Sequence, residues 1–193
     1  MEHYFTRKPT SPERLHTIKS VLKGRNLQFK TSSGVFSKDK IDLGTRILVE
    51  AVQVGSDEIL CDAGCGYGVI GISLSFFCET VVLVDINERA CILTQDNIWL
   101  NNVTNAYVVC GSPACLHTTF DVVAMNPPIR AGKKAVFQLI EESRNCLKKR
   151  GRLYVVARTR QGAKSIYSFM GGLFSKAEYV SLKGGYRVVE GVD

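Results

Sequence analysis

From Glu58 onward the chain alternates short apolar runs with stretches of helical periodicity, and this alternation limits the possible folds more than any other feature. Residues 59–62 read as a strand, followed by a glycine loop and a helix near 69–77. Residues 80–85 (TVVLVD) form the next strand and 88–101 the next helix. Strands follow at 106–110 and 120–125, a helix at 135–147, a strand at 152–157 and a helix at 161–170. Residues 177–182 and 186–190 close as a hairpin around Lys183-Gly184-Gly185. Alternation of this kind predicts an α/β fold: a mostly parallel, seven-stranded sheet with an antiparallel terminal strand and helices on both faces.

The first 50 residues read differently. Residues 27–30 and 35–36 flank Thr31-Ser32-Ser33-Gly34, which predicts a small hairpin, and 45–54 reads as a helix feeding the first sheet strand. We take residues 1–193 as one domain, with 1–50 a basic N-terminal extension and 51–193 the core. The 193-residue length and 45% hydrophobic content suit one self-sufficient core.

Net charge is +7, unevenly spread. Residues 1–50 carry ten Lys/Arg against five Asp/Glu, 51–125 one against eight, and 126–193 fourteen against five. An acidic middle flanked by basic segments fits a polyanion partner, and it equally fits a solvated basic face. No apolar run reaches the roughly 18 residues of a membrane span, and residues 1–14 lack the apolar core of a signal peptide, so a cytoplasmic protein is expected. The seven cysteines are scattered without a CxxC pair, which predicts reduced thiols and no metal site.

The strongest local signal is Cys61-Asp62-Ala63-Gly64-Cys65-Gly66-Tyr67-Gly68, between a strand and a helix. Glycines there let backbone approach a ligand at the carboxyl end of the sheet. The third glycine arrives one residue earlier than in the dinucleotide fingerprint, and Asp62 stands two before the first. An acid opposes a pyrophosphate and suits a ligand bearing an ammonium group, which disfavours a nicotinamide dehydrogenase. The next strand ends in Asp85, placed to accept from two ribose hydroxyls, or simply to cap a helix.

Asn126-Pro127-Pro128-Ile129 follows the strand 120–125. The prolines fix the backbone and remove two donors, leaving the Asn126 amide oxygen and the Pro127 carbonyl as acceptors for an exocyclic NH2. A plain rigid turn is the alternative. His3, His16 and His117 lie outside these motifs and read as surface residues, so no general base is evident. Trp99 falls on the core-facing side of its helix and is given no role.

These motifs resemble the small-domain, Rossmann-like class I methyltransferase family, which includes the RsmC-type ribosomal RNA guanine-N2 methyltransferases and compact archaeal relatives. The resemblance spans nearly the whole chain. It runs through Ser33-Gly34-Val35-Phe36-Ser37 with Asp42-x-Gly44-Thr45, the glycine loop, Asp85 and Asn126-Pro127-Pro128-Ile129-Arg130-Ala131-Gly132-Lys133. It continues in Gln161-Gly162-Ala163-Lys164 and Gly184-Gly185-Tyr186-Arg187. What it implies is S-adenosyl-L-methionine over the strand ends. Gly64, Cys65 and Gly66 would lie against the methionine part, Asp62 near its ammonium, Asp85 and Ile86 at the ribose, and Phe36, Thr45 and Asn126 close by. Phe36 reads equally as core, and Asp42 equally as a helix cap.

Relatives carry an acid at the adenine amino group where this chain has Cys110-Gly111-Ser112-Pro113, so Ser112 is expected to take that contact. Ile129 stands where adenine-N6 and glutamine-N5 enzymes carry an aromatic residue, and is expected to cover the base. The implied reaction is in-line methyl transfer to an exocyclic amino nitrogen of an RNA base, guanine N2 in ribosomal RNA. Asn126, Pro127, Pro128 and Ile129 would form the reactive tetrad. Arg130, Lys133, Lys134, Arg158, Arg160 and Lys164 would hold the RNA backbone. Alternatives are a protein glutamine-N5 or adenine-N6 methyltransferase, and a non-catalytic RNA-binding or assembly module. The implied partner is ribosomal RNA or a ribosomal subunit, met by a monomer or a homodimer.

Overall fold

A computed structural model describes residues 15–32 and 40–193. Seven strands form one sheet: β3 (Ile59–Ala63), β4 (Thr80–Asp85), β5 (Ala106–Cys110), β6 (Phe120–Met125), β7 (Leu147–Arg158), β8 (Lys176–Lys183) and β9 (Tyr186–Val192). Their order is β5-β4-β3-β6-β7-β9-β8. β5, β4, β3, β6 and β7 run parallel, and β9 is antiparallel to both its neighbours, β7 and β8. The chain starts this sheet in the middle, builds outward to β5, and then returns to the other side of β3. The reversal between β3 and β6 opens a crevice at the carboxyl ends of those two strands.

Strand side chains alternate between two apolar layers. Leu60, Leu83, Val122 and Tyr154 face one cluster, built with α1 (Leu43–Ala51), α2 (Val69–Leu74) and α3 (Glu88–Leu100). Cys61, Val84, Val123 and Val155 face the other, covered by α4 (Lys133–Asn145) and α5 (Lys164–Leu173). Caps set the helix starts. Asp42 accepts from the N–H groups of Gly44 and Thr45, at 2.8 and 3.3 Å, and opens α1. Asn87 does the same for α3 through Arg89 and Ala90.

A separate two-stranded hairpin, β1 (Leu15–Leu22) and β2 (Arg25–Ser32), packs on the first layer through Leu22, Leu27 and Phe29. Its turn is Lys23-Gly24, with φ of 44° and 75°, the geometry of a two-residue primed turn. The sequence reading placed the hairpin later, around Thr31–Gly34. Residues 27–30 are in fact the second strand and pair backward with 17–20. Lys-Gly is a weaker turn signal than Asn-Gly; here the Lys23 N–H is held by Glu50 Oε1 at 2.9 Å. The expected strand at 35–36 lies outside the described residues.

The outer edge of β2 meets α3 rather than another strand. Asn97 Oδ1 accepts from Lys30 N–H at 2.7 Å while Asn97 Nδ2 donates to Lys30 O at 2.8 Å. One helical turn on, Asn101 Oδ1 accepts from Gln28 N–H and its Nδ2 donates to Gln28 O. Two residues of strand and four residues of helix both advance about 6–7 Å, so the two amides match alternate peptide groups.

Three further expectations shift. Trp99 is 68% exposed, not core-facing, because the buried stripe of α3 runs through Ala90, Leu93, Thr94, Asn97 and Ile98. The strand expected at 152–157 begins earlier, with a bulge between its pairings Phe120–Leu147 and Val122–Arg152. The helix expected from Gln161 starts at Lys164, because Gln161 and Gly162 (φ 104°) hold non-helical backbone.

Candidate functional site

The glycine loop after β3 is a turn that side chains would strain. Gly64, Gly66 and Gly68 have φ of 72°, 58° and 90°, which accounts for the G-x-G-x-G spacing. The loop is tied down from three directions. Gly64 and Cys65 donate backbone N–H to Val84 O, Gly66 N–H donates to Asp85 Oδ2 at 2.9 Å, and Thr94 Oγ1 donates to Gly66 O at 2.8 Å. The loop walls a cavity of about 360 Å³, within the range of small-molecule sites.

Most residues expected to bind a ligand meet at this cavity. Gly64, Cys65, Gly66, Asp85, Ile86 and Ser112 line one part of it, and Thr45, Asn126, Pro127 and Pro128 another. Asp85 is held by Asn87 N–H on Oδ1 and Gly66 N–H on Oδ2, and a carboxylate with about four lone-pair sites keeps acceptor capacity beyond its backbone partners. Burial lifts its pKa, against the pull of the Asn87, Gly66 and Ile86 N–H groups. Burial also pushes the Cys65 thiol well up, reinforced by the nearby Asp85 and Asp62.

Asp62 departs from the expectation that it borders the ligand. It lies beneath the loop with no exposed surface, outside the cavity wall. Its Oδ2 accepts from Gly71 N–H at 2.8 Å, and its Oδ1 is buried without a hydrogen-bond partner. Burial raises its pKa to about 7, opposed by the Gly71 bond and reinforced by Asp85. Asp62 is therefore first a brace between β3 and α2, with one unpaired acceptor held in reserve. Gly71 makes the brace possible: a Cβ there would sit 2.4 Å from Leu83 Cδ2.

Asn126 follows β6 and its Nδ2 donates to Thr45 Oγ1 at 2.9 Å. Its Oδ1 is thereby left to accept from a group in the cavity. The Pro127 carbonyl accepts Ile129 N–H at 2.8 Å and the Pro128 carbonyl accepts Ala131 N–H, which fold the tetrad into a tight turn. A carbonyl has two lone pairs, so Pro127 keeps one for a ligand. Ile129 corrects the expectation that it covers a base. It is absent from the cavity wall and, half-buried in a 3-10 turn, packs against the second apolar cluster.

Sequence reasoning missed the far wall. Ala135, Gln138, Leu139 and Glu142 line the cavity from α4, and Gln138 Nε2 donates to Glu142 Oε1 at 2.8 Å. Their spacing (i, i+3, i+4, i+7) is one helical stripe, visible in the sequence but read only as amphipathic periodicity. Tyr67 and Asp42 also line the cavity. Phe36 lies outside the described residues.

Arg130, Lys133, Lys134, Arg158, Arg160 and Lys164 are all exposed. Lys133 and Lys134 open α4, whose first turn has no acid and no side-chain cap. Cations there oppose the helix dipole. Since β6 and β7 are adjacent and parallel, the starts of α4 and α5 rise from the same end of the sheet, with Phe137 stacked on Phe169 at 3.9 Å between them. Among the described residues no group of three or more His, Cys, Asp or Glu is placed to hold a metal ion, and no helix is long and apolar enough to cross a membrane.

The family model described as methyltransferase small domain matches residues 26–190. The chain is 36% identical over 195 residues to the uncharacterized protein YbxB of Bacillus subtilis, covering 98% of this chain and 97% of that one. It is 30% identical over 138 residues to ribosomal RNA small subunit methyltransferase C of Photorhabdus laumondii, covering 68% of this chain and 41% of the relative, so it spans about two fifths of that protein. Among solved structures, the T. thermophilus 16S rRNA N2 methyltransferase RsmC, in complex with AdoMet and guanosine, superposes with a TM-score of 0.84 over 96% of this chain and 52% of that one. At 20% identity that likeness is one of fold.

Proposed function

The chain belongs to the methyltransferase small-domain family, and we propose that it transfers a methyl group from S-adenosylmethionine to an exocyclic amino nitrogen of an RNA base, guanine N2 in ribosomal RNA. The observation that carries this reading is the Asn126 amide. Its Nδ2 is committed to Thr45, and Asn126 and Pro127 both line the cavity, so the Asn126 Oδ1 and the Pro127 carbonyl would supply the two acceptors that a planar NH2 requires.

The residues present fit the cofactor. The cavity volume matches a ligand of that size, and Asp85 keeps a lone pair for a ribose hydroxyl. Ser112 and the α4 stripe would enclose the adenine. When bound, the cofactor supplies an electrophilic methyl group on a sulfonium.

Asn126 and Pro127 accept the two N–H bonds of the amino group and turn its lone pair toward that methyl. Positive charge developing on the amino nitrogen would be shared by both hydrogen bonds, so Asn126 and Pro127 would favour the transfer more than the resting substrate. One N–H proton then leaves to solvent. Orientation supplies most of the gain, because the leaving group is already good. Exposed Lys133 and Lys134 at the uncapped start of α4, with Arg130, Arg160 and Lys164 at the same end of the sheet, suit a phosphate backbone crossing the cavity mouth. The hairpin and the sheet share one apolar cluster, which supports treating residues 1–193 as one domain. The substrate and cofactor point to the cytoplasm as the place of action.

Purified protein, methyl-labelled cofactor and unmodified ribosomal subunits test the reading. Nuclease-sensitive label that digests to N2-methylguanosine is the expected result. Another methylated nucleoside would change the base. Label only in protein, or none together with no cofactor binding, would overturn it.

A further inference from the structure

Two sequence blocks remain without a role in the transfer itself: Asp42-x-Gly44-Thr45 and Gly184-Gly185-Tyr186-Arg187. They meet in the fold. Tyr186, the first residue of β9, donates its hydroxyl proton to Asp42 Oδ1 at 3.2 Å across a separation of 144 residues. Asp42 Oδ2 receives the N–H groups of Gly44 and Thr45. Thr45 Oγ1 receives Asn126 Nδ2. On its other side, the Tyr186 oxygen accepts Arg158 Nε at 2.8 Å, and the guanidinium carbon lies 5.2 Å from the centre of the tyrosine ring.

Gly44 shows that this meeting is built. A Cβ at that position would fall 2.6 Å from Tyr186 Cε1 and 2.8 Å from Asp42 Oδ2, so only glycine lets the ring close on the cap of α1. The bonds run from arginine to tyrosine, tyrosine to carboxylate, backbone N–H to carboxylate, and amide to threonine.

We propose that Thr45, Asp42 and Tyr186 are positioning residues that hold the Asn126 amide against the cavity wall, with Arg158 as the outer end of the same chain. This rests on the reading of Asn126 given above and assigns the two unexplained blocks to it. An Asn126 side chain without this bond would swing among rotamers and leave the cavity wall. The bond to the Thr45 hydroxyl holds it there, and Asp42 holds Thr45 by the backbone while Tyr186 and Arg158 hold Asp42. Arg158 therefore differs from Arg130, Lys133, Lys134, Arg160 and Lys164: its Nε is spent inward on Tyr186.

The test uses Thr45→Val, which keeps the shape and removes the hydroxyl, Thr45→Ser, which restores it, and Tyr186→Phe, which keeps the ring against Gly44. Methyl transfer to ribosomal subunits should lose about tenfold or more in kcat in Thr45→Val and Tyr186→Phe, with cofactor affinity within about threefold of wild type. Thr45→Ser should recover most of it. In parallel, NMR of the Asn126 side-chain amide should show one slowly exchanging Nδ2 proton in wild type and Thr45→Ser, and fast exchange of both in Thr45→Val. Unchanged exchange in Thr45→Val, or unchanged kcat in both Thr45→Val and Tyr186→Phe, would overturn the proposal. A wild-type protein with no transfer activity would instead sink the functional reading, while the exchange measurement still decides the positioning.

Discussion

Gly66 N–H and Asp85 Oδ2 are joined at 2.9 Å, so the glycine loop after β3 and the acid that ends β4 form one piece of the cavity wall. The second Asp85 oxygen holds Asn87, the residue that caps α3. One carboxylate thus sets a loop, a strand end and a helix start.

Asp85→Asn is the sharpest probe of that piece. An amide replaces one acceptor by a donor, which must face either Gly66 N–H or Asn87 N–H. An unpaired buried donor costs about 1–3 kcal/mol, so cofactor affinity by calorimetry should fall roughly tenfold or more. Affinity equal to wild type would show that the ligand does not depend on this carboxylate.

Asn126→Ala should leave the cavity floor and the glycine loop intact and remove one of the two acceptors for the amino group. Turnover should drop by about 100-fold or more, with cofactor affinity within a few-fold. Near-normal turnover would refute the assigned role.

Asp62 makes stability depend on pH. Its pKa is about 7 in the folded protein, raised chiefly by burial, against about 3.9 for an unfolded aspartate. Between these values the folded state retains a proton that the unfolded chain has lost, so this group favours folding less and less as pH climbs from 4 through 7. Chemical denaturation at pH 5 and pH 8 should show wild type losing stability that Asp62→Asn keeps. Identical pH profiles for the two proteins would refute the assignment.

Phosphate contacts predict a steep salt dependence. Replacing Lys133 or Lys134 by Gln should weaken RNA binding at low salt and reduce the slope of log K against log salt by about 0.7–0.9 each. A slope that stays the same would remove these lysines from the interface.

Gly71→Ala tests the brace under the loop. The added methyl collides with Leu83, which has no exposed surface, and overpacking of this kind costs about 1–3 kcal/mol. The melting temperature should fall by several degrees, and the Asp62–Gly71 bond should lengthen.

The alternation after Glu58 carried the sheet and its helices because buried parallel strands and their crossovers write distinct periods into the chain. The hairpin was misplaced because its turn uses lysine at a left-handed position, stabilised by Glu50 from 27 residues away. Asp85, Asn126 and the three loop glycines were legible, since each sits at a strand end or needs positive φ. Asp62 was legible as special, but its full burial depends on Gly71 packing against Leu83. Glu142 and Gln138 were hidden because a cavity-facing helical stripe looks like any other, and Ile129 was misread because a 3-10 turn decides which way it points. Tyr186 belonged to a noted motif, yet its partner lies 144 residues away, beyond any local pattern.

The amides of Asn97 and Asn101 give and take hydrogen bonds at Lys30 and Gln28 as a neighbouring strand would. A two-stranded ribbon beside a larger sheet would otherwise offer a row of open peptide groups to any extended segment of another molecule. By closing the β2 side of that row with side chains fixed to a helix, the protein keeps this edge from templating self-association, and the safeguard rests on two residues with no part in the chemistry.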